Sequence, residues 1–193
     1  MTRRIRYLTH PQIVIDPDRD VRLWGLSETG RARVERLAKS RVLAGTRTIV
    51  SSAETKARQT AAPLAAALGC GVIVRENMHE NDRSATGFLP SEAFEQVADR
   101  FFADPDGSVR GWETARDAQT RIVAEVAAVL AQNPDGDLLF VGHGAVGTLL
   151  YCHHACVSIS RDHDQIVGGG CFFDFTEGQA PEAGWRPLES LLD

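Results

Sequence analysis

The sequence has no apolar run long enough to cross a bilayer, which takes about 20 consecutive apolar residues in a helix. No membrane partner is therefore expected. Positive charge is also short. Lys and Arg number 21 against 26 Asp and Glu, a formal net charge of −5, whereas a nucleic-acid surface needs concentrated positive charge to meet the phosphate backbone. An acidic chain can still take a small anion where a few cations are focused in one cleft. Cysteine is scarce and scattered: Cys70, Cys152, Cys156 and Cys171 lack the dense spacing of a disulfide framework and read as buried free thiols. The basic start Met1-Thr2-Arg3-Arg4-Ile5-Arg6 is not followed by an apolar stretch of signal length, so a cytoplasmic protein is expected. There is no solenoid-type repeat and no linker polar enough to divide the chain. Residues 1–193 are expected to form one domain, a length able to bury a real core.

What is present is an alternation of short apolar strands with helices. A first strand closes at Tyr7-Leu8, and Pro11, which lacks an N–H, forbids its simple continuation. The segment Gln12 to Leu26, rich in Asp and Pro, reads as a loop. Ser27 is placed to cap a helix running to about Ser40. Strands follow at Thr48-Ile49-Val50 and Gly71-Val72-Ile73-Val74, separated by a helix from Glu54 to Leu68 that stops at Gly69. Ser91 is placed to cap a helix over Glu92 to Ala103, and Thr114 to Gln132 is a long helix ended by Asn133-Pro134-Asp135-Gly136. Leu138-Leu139-Phe140-Val141 is the most apolar strand and suits the middle of a parallel sheet. A helix from Val146 to Ala155 and an edge strand over Cys171 to Phe175 complete the reading. The class is α/β: a three-layer αβα sandwich with a mainly parallel sheet.

Two histidines stand just past the ends of apolar strands, His10 after Tyr7-Leu8 and His143 after Leu138 to Val141. In open α/β sheets ligands bind outside the carboxyl ends of the strands. The strand Thr48 to Val50 leads into Ser51-Ser52, Lys56 and Arg58, and Glu80 lies in the loop after Val74. Four strand ends thus deliver His, Ser/Lys/Arg, Glu and His. Any one of these alone reads better as a loop or surface residue; their joint placement is the signal.

These segments resemble the histidine phosphatase superfamily, the phosphoglycerate-mutase-like proteins. Thr9-His10-Pro11 answers that family's R-H-G, and Leu26-Ser27-Glu28-Thr29-Gly30 its L-T-x-x-G. The run Ser51-Ser52-Ala53-Glu54-Thr55-Lys56-Ala57-Arg58-Gln59-Thr60-Ala61 is similar to its S-S-P-L-x-R-A-x-Q-T-A. Trp112-Glu113-Thr114 through Arg121 answers its G-E-S and the following arginine, and Val141-Gly142-His143-Gly144 its V-x-H-G. The matches come in family order along nearly the whole chain. The resemblance implies a phosphoglycerate-mutase-like fold and a phosphatase hydrolysing a small phosphate monoester through a phosphohistidine. In that scheme His10 is the nucleophile, Glu80 the acid and then the base, and His143 a donor to the phosphoryl oxygens, with Thr9 and Lys56 at phosphate-binding positions and no metal or other cofactor required. The implied partner is a small phosphorylated substrate or inorganic phosphate; a homodimer is the assembly considered beside the monomer.

Thr9 and Lys56 depart from the pattern, each replacing an arginine whose planar fork grips two phosphate oxygens at once. Arg6, Arg58 and Arg83 are the candidates to supply the missing cation. A degenerate relative that binds a phosphorylated ligand or a protein without turnover is the second hypothesis, and mutase chemistry a lesser one, because 193 residues is short for a mutase. A zinc site over Cys152-His153-His154-Ala155-Cys156 with His163 is a third. On a helix, however, Cys152 and Cys156 share a face while the two histidines point elsewhere.

Overall fold

The computed structural model describes residues 3–133 and 135–192. The readings made above for Met1, Thr2 and Pro134 lie outside the described residues.

The strands are β1 (Ile5–Thr9), β2 (Thr46–Ser52), β3 (Val72–Arg75), β4 (Asp137–Gly142), β5 (Cys171–Phe175) and β6 (Arg186–Pro187). The helices are α1 (Glu28–Ser40), α2 (Thr55–Leu68), α3 (Ser91–Ala103), α4 (Ala115–Gln132) and α5 (Gly144–Ala155). The six strands form one sheet in the order β3-β2-β4-β1-β5-β6. β3, β2, β4 and β1 run parallel, while β5 pairs antiparallel with β1 and β6 antiparallel with β5.

Alternation along the strands divides the core into two layers, because successive side chains point to opposite faces. Leu8, Ile49, Leu139, Val141 and Phe172 pack against Val34 and Leu37 of α1 and Ala57, Ala61 and Leu64 of α2. Ile5, Tyr7, Val50, Leu138, Phe140 and Phe173 face Phe101 of α3, Ile122 and Val126 of α4, and Leu149 and Leu150 of α5. This is the expected αβα sandwich, with β4 in its middle.

Three local readings are revised. Ser91 is the first residue of α3, and Pro90 takes the cap position with extended backbone. β5 is covered on its outer side by the two-residue β6, so it is not the edge. α5 begins at Gly144, two residues earlier than expected, with His143 itself as the cap residue.

The last revision matters, because it makes the strand-to-helix turn at Gly142-His143-Gly144 very tight. The Tyr7 hydroxyl accepts from the His143 amide at 3.1 Å and lies 3.3 Å from the His143 carbonyl. A Cβ on Gly142 would sit 2.1 Å from that hydroxyl oxygen. Tyr7 cannot retreat, since it is fully buried, stacked on Phe173 and set edge to face against Trp185. Gly142→Ala is therefore expected to cost about 2–3 kcal/mol by overpacking. Thermal unfolding should show it as a Tm lower by roughly 4–12 °C, and adding Tyr7→Phe should recover part of the loss.

Candidate active site

The carboxyl ends of β1, β2 and β4 bring His10, Ser52 and His143 to one place. The rings of His10 and His143 meet edge to face with centroids 5.3 Å apart. β1 stops at Thr9, and the His10 backbone is held from both sides: its N–H donates to Gly142 O at 3.1 Å and its carbonyl accepts from Gly170 N at 3.0 Å. His10 Nδ1 is 2.9 Å from Pro11 O. A carbonyl can only accept, so Nδ1 carries the hydrogen and Nε2 the lone pair. Burial, with the Lys56 charge beside it, lowers the His10 pKa to about 4, against the weaker pull of the Pro11 carbonyl and Glu54. The ring is neutral at pH 7.

His143 is fully buried. Its Nε2 lies 2.8 Å from Ser52 Oγ, which already accepts from the Glu54 amide at 3.3 Å. Where the Ser52 hydroxyl donates to Nε2, the ring hydrogen sits on Nδ1. Nδ1 is buried and has no partner among the described residues. Burial pushes the His143 pKa well below its usual value, although Glu54 pulls the other way.

Glu80 reaches the site from the loop after β3. Its Oε1 accepts from Val146 N at 3.0 Å and Asn81 N at 3.2 Å, and its Oε2 from Ala145 N at 3.3 Å. It thus caps the amino end of α5, where unsatisfied N–H groups and the helix dipole favour an anion. Even so, burial raises its pKa, against the pull of Val146 N–H and Arg83. The loop is clamped from α4: Arg121 donates to the carbonyls of Asn77 at 2.8 Å and His79 at 3.0 Å, and pairs with Glu113 at 2.7 Å. Glu113 in turn accepts from Asp82 N at 3.0 Å.

Thr9 and Lys56 are both engaged with the protein. The fully buried Thr9 hydroxyl donates to Gln165 Oε1 at 2.6 Å and accepts from Cys171 N at 3.0 Å. Lys56 Nζ donates to Val21 O at 2.9 Å and forms a buried ion pair with Glu54. Among the candidate cations, Arg6 is held by Asp174 at 2.7 Å. Arg58 is exposed and lines the neighbouring cleft. Arg83 lies over the Phe94 ring at 4.9 Å, and its charge reaches His10, Glu80 and His143.

Glu54 is the residue that sequence reasoning missed. Its Oε1 accepts from Glu80 N at 2.9 Å and stands 3.6 Å from His143 Nε2, and its Oε2 binds Lys56. Burial alone would raise its pKa, but His143, Lys56 and the Glu80 amide together hold it at about 2. The signal was in the motif: an acid stands where the resembling segment has leucine, two residues before a lysine that stands for arginine. Two-residue spacing on a helix does not bring side chains together. Glu54 is the cap residue outside the helix, so that rule does not hold it apart from Lys56.

A cleft of about 880 Å³ opens beside these groups, lined in part by Arg22, Glu54, Arg58, Glu80, Asn81 and Arg83. Neither His10 nor His143 lines it; Glu54, beside His143, does. Asn81 Nδ2 is buried there without a partner among the described residues. At the far end of α5, Cys152 is buried and Cys156 exposed, and no group of three or more metal-ligating side chains forms among the described residues. No helix among them is long and apolar enough to cross a membrane.

The buried histidines bear on stability. Between pH 6.5 and about 4, His10 and His154 bind fewer protons folded than unfolded, and His143 still fewer. Stability should fall as pH drops below 6.5, by at most about 1.4 kcal/mol per pH unit for a fully buried ring such as His143. Glu54, with its lowered pKa, contributes fully above its ordinary value of 4.5 and loses that contribution progressively as pH falls toward about 2. Glu80, with its raised pKa, contributes most at low pH and loses that contribution as pH rises through its folded value, so it offsets the histidines only in part. Denaturation midpoints at pH 7.5 and 5 should differ in that direction.

A sheet of this order with two imidazoles at its carboxyl edge defines an α/β protein of the phosphoglycerate-mutase-like fold. The chain belongs to the histidine phosphatase superfamily (branch 1), whose model matches residues 14–171. The matched stretch begins after His10 and includes Glu54, Lys56, Glu80 and His143. Among solved structures, a mycobacterial glucosyl-3-phosphoglycerate phosphatase is 21% identical over 90% of both chains, with a TM-score of 0.75. A phosphoserine phosphatase from Entamoeba histolytica, in complex with 3-phosphoglyceric acid, is 17% identical over 98% of this chain and 99% of its own, TM-score 0.77. YhfR of Bacillus stearothermophilus is 19% identical over 93% and 94%, TM-score 0.77. No curated protein matches the sequence.

Proposed function

We propose that this chain, read as one domain over residues 1–193, hydrolyses a phosphate ester through a phosphohistidine on His10. The observation that carries this reading is the His10 ring itself: neutral, fixed through Nδ1 on Pro11 O, with an Nε2 lone pair beside His143. A neutral imidazole can attack phosphorus, and the phosphoryl group in flight needs donors and positive charge around its oxygens. In the tautomer with hydrogen on Nδ1, His143 supplies one donor, and Arg83 supplies positive charge, while the Lys56 charge is balanced by Glu54. Glu80, its pKa raised, protonates the leaving oxygen and then takes a proton from the attacking water. Thr9 acts through Gln165 and Cys171, holding the end of β1 from which His10 projects. The glucosyl-3-phosphoglycerate phosphatase among the similar structures is also described in complex with inorganic phosphate and with vanadate, which supports a phosphate-sized anion as the ligand.

The test is to mix the protein rapidly with p-nitrophenyl phosphate, quench, and examine the peptide bearing His10 by mass spectrometry. An acid-labile, base-stable phosphoryl group on His10 is expected. Product release with an unmodified His10 under conditions that trap the intermediate would overturn the mechanism. A second reading, binding without turnover, is favoured by one observation: the Glu54 carboxylate already occupies Lys56. It predicts neither adduct nor product.

A further inference from the structure

We infer that Glu54 sets the charge the site accepts, and that the preferred substrate is a phosphodiester, with one negative charge, instead of the monoester dianion the family resemblance suggests. This rests on the proposed His10 chemistry and adds the substrate class to it.

Few net charges surround the two imidazoles. Thr9 brings none, and its hydroxyl is spent on Gln165 and Cys171. Lys56 brings one positive charge, but its ammonium is bound to Glu54, only 6% exposed, whose negative charge cancels it. Both imidazoles are neutral. Arg83, three residues after Glu80, lines the same cleft wall as Glu54 and Glu80, has no ion pair among the described residues, and brings one positive charge. With Glu80 protonated for its role as acid, the surplus is one positive charge. A monoanion balances it. A dianion leaves one charge unbalanced in a place poor in water, where such an imbalance is costly. Glu54 also lies on the way in, since it both lines the cleft and stands 3.6 Å from His143.

The space agrees with the charge. A phosphoryl group alone needs little room, yet a cleft of about 880 Å³ adjoins Glu54 and Glu80, within the size range of sites that hold whole small molecules. Arg58, exposed on its wall, can meet a polar group of a second ester substituent.

The reaction balances without a further reagent. The His10 Nε2 lone pair forms a bond to phosphorus, and the bond from phosphorus to one ester oxygen breaks. Glu80 gives its proton to that leaving oxygen. The phosphohistidine keeps the second ester group and its single negative charge. Water then attacks phosphorus, giving a proton to Glu80, and the P–N bond breaks with its electron pair returning to Nε2. A monoester is released.

The test compares bis(p-nitrophenyl) phosphate with p-nitrophenyl phosphate, which share a leaving group, at pH 7.5, where the monoester is a dianion. For the unaltered protein, kcat/KM is expected to favour the diester by about tenfold or more, by analogy with the cost of one misplaced site charge or donor. Glu54→Gln, which keeps the shape and removes the charge, should shift that ratio toward the monoester by about as much. Glu54→Asp should retain the diester preference. A monoester preference in the unaltered protein, or a ratio that Glu54→Gln leaves unchanged, would overturn the inference while leaving His10 chemistry standing. Turnover of both substrates that persists in His10→Ala would sink the proposed function and this inference together.

Discussion

Replacing His10 by alanine is expected to lower turnover of a phosphate ester by about 10⁴-fold or more, to near the solution background, because the covalent intermediate forms on its Nε2. The neighbouring imidazole does not substitute. His143 is fully buried, and its Nε2 is engaged by Ser52. The fold should tolerate the change, since what fixes this turn is the His10 backbone, held by Gly142 and Gly170, and alanine keeps those bonds. Initial rates together with an unchanged unfolding curve would check both statements. A residual rate within tenfold of the unaltered protein would remove His10 from the chemistry.

The second large effect is expected at Glu80. Glu80→Gln should lower kcat by about 10²–10⁴ for an alkyl phosphate, whose leaving alkoxide needs a proton. With a p-nitrophenyl ester the first step should be far less affected, because nitrophenolate leaves unaided. The difference between substrates separates an acid from a structural prop. A merely structural role in capping α5 would lower both rates alike, and glutamine retains one oxygen for the Val146 amide. Proton donation also fixes the shape of the pH profile. With His10 titrating near 4, the acid limb lies far below the usual histidine range, and the alkaline limb follows the raised Glu80.

Most of the fold was legible because its signals are local. The β4 segment is uniformly apolar, Ser27 does cap α1 through the Gly30 amide at 3.1 Å, and Gly69 ends α2 in a left-handed conformation. What sequence could not show were the pairings across the chain. β5 reads as an edge strand because β6, its outer partner, is two residues long and has no periodicity to detect. The candidate site divides in the same way. Strand ends pointed to His10 and His143, and the structure brings their rings together. The groups that tune them come from elsewhere: Tyr7 beneath the turn, Gln165 across from Thr9, Arg121 behind Glu80. A carboxylate inside an anion site contradicts the expected pattern, so Glu54 passed as an ordinary start of a helix.

β1 is the first strand in the chain, yet its two neighbours in the sheet, β4 and β5, lie at residues 137–142 and 171–175. His10 therefore leaves the ribosome long before anything it will pair with. Until β5 has been made, β1 lacks one of its two partners, and the glycine turn that grips the His10 carbonyl does not exist. Contacts this distant in sequence close late and slowly. The candidate site joins segments far apart in sequence, so a partly synthesised molecule has His10 without the frame that aims it.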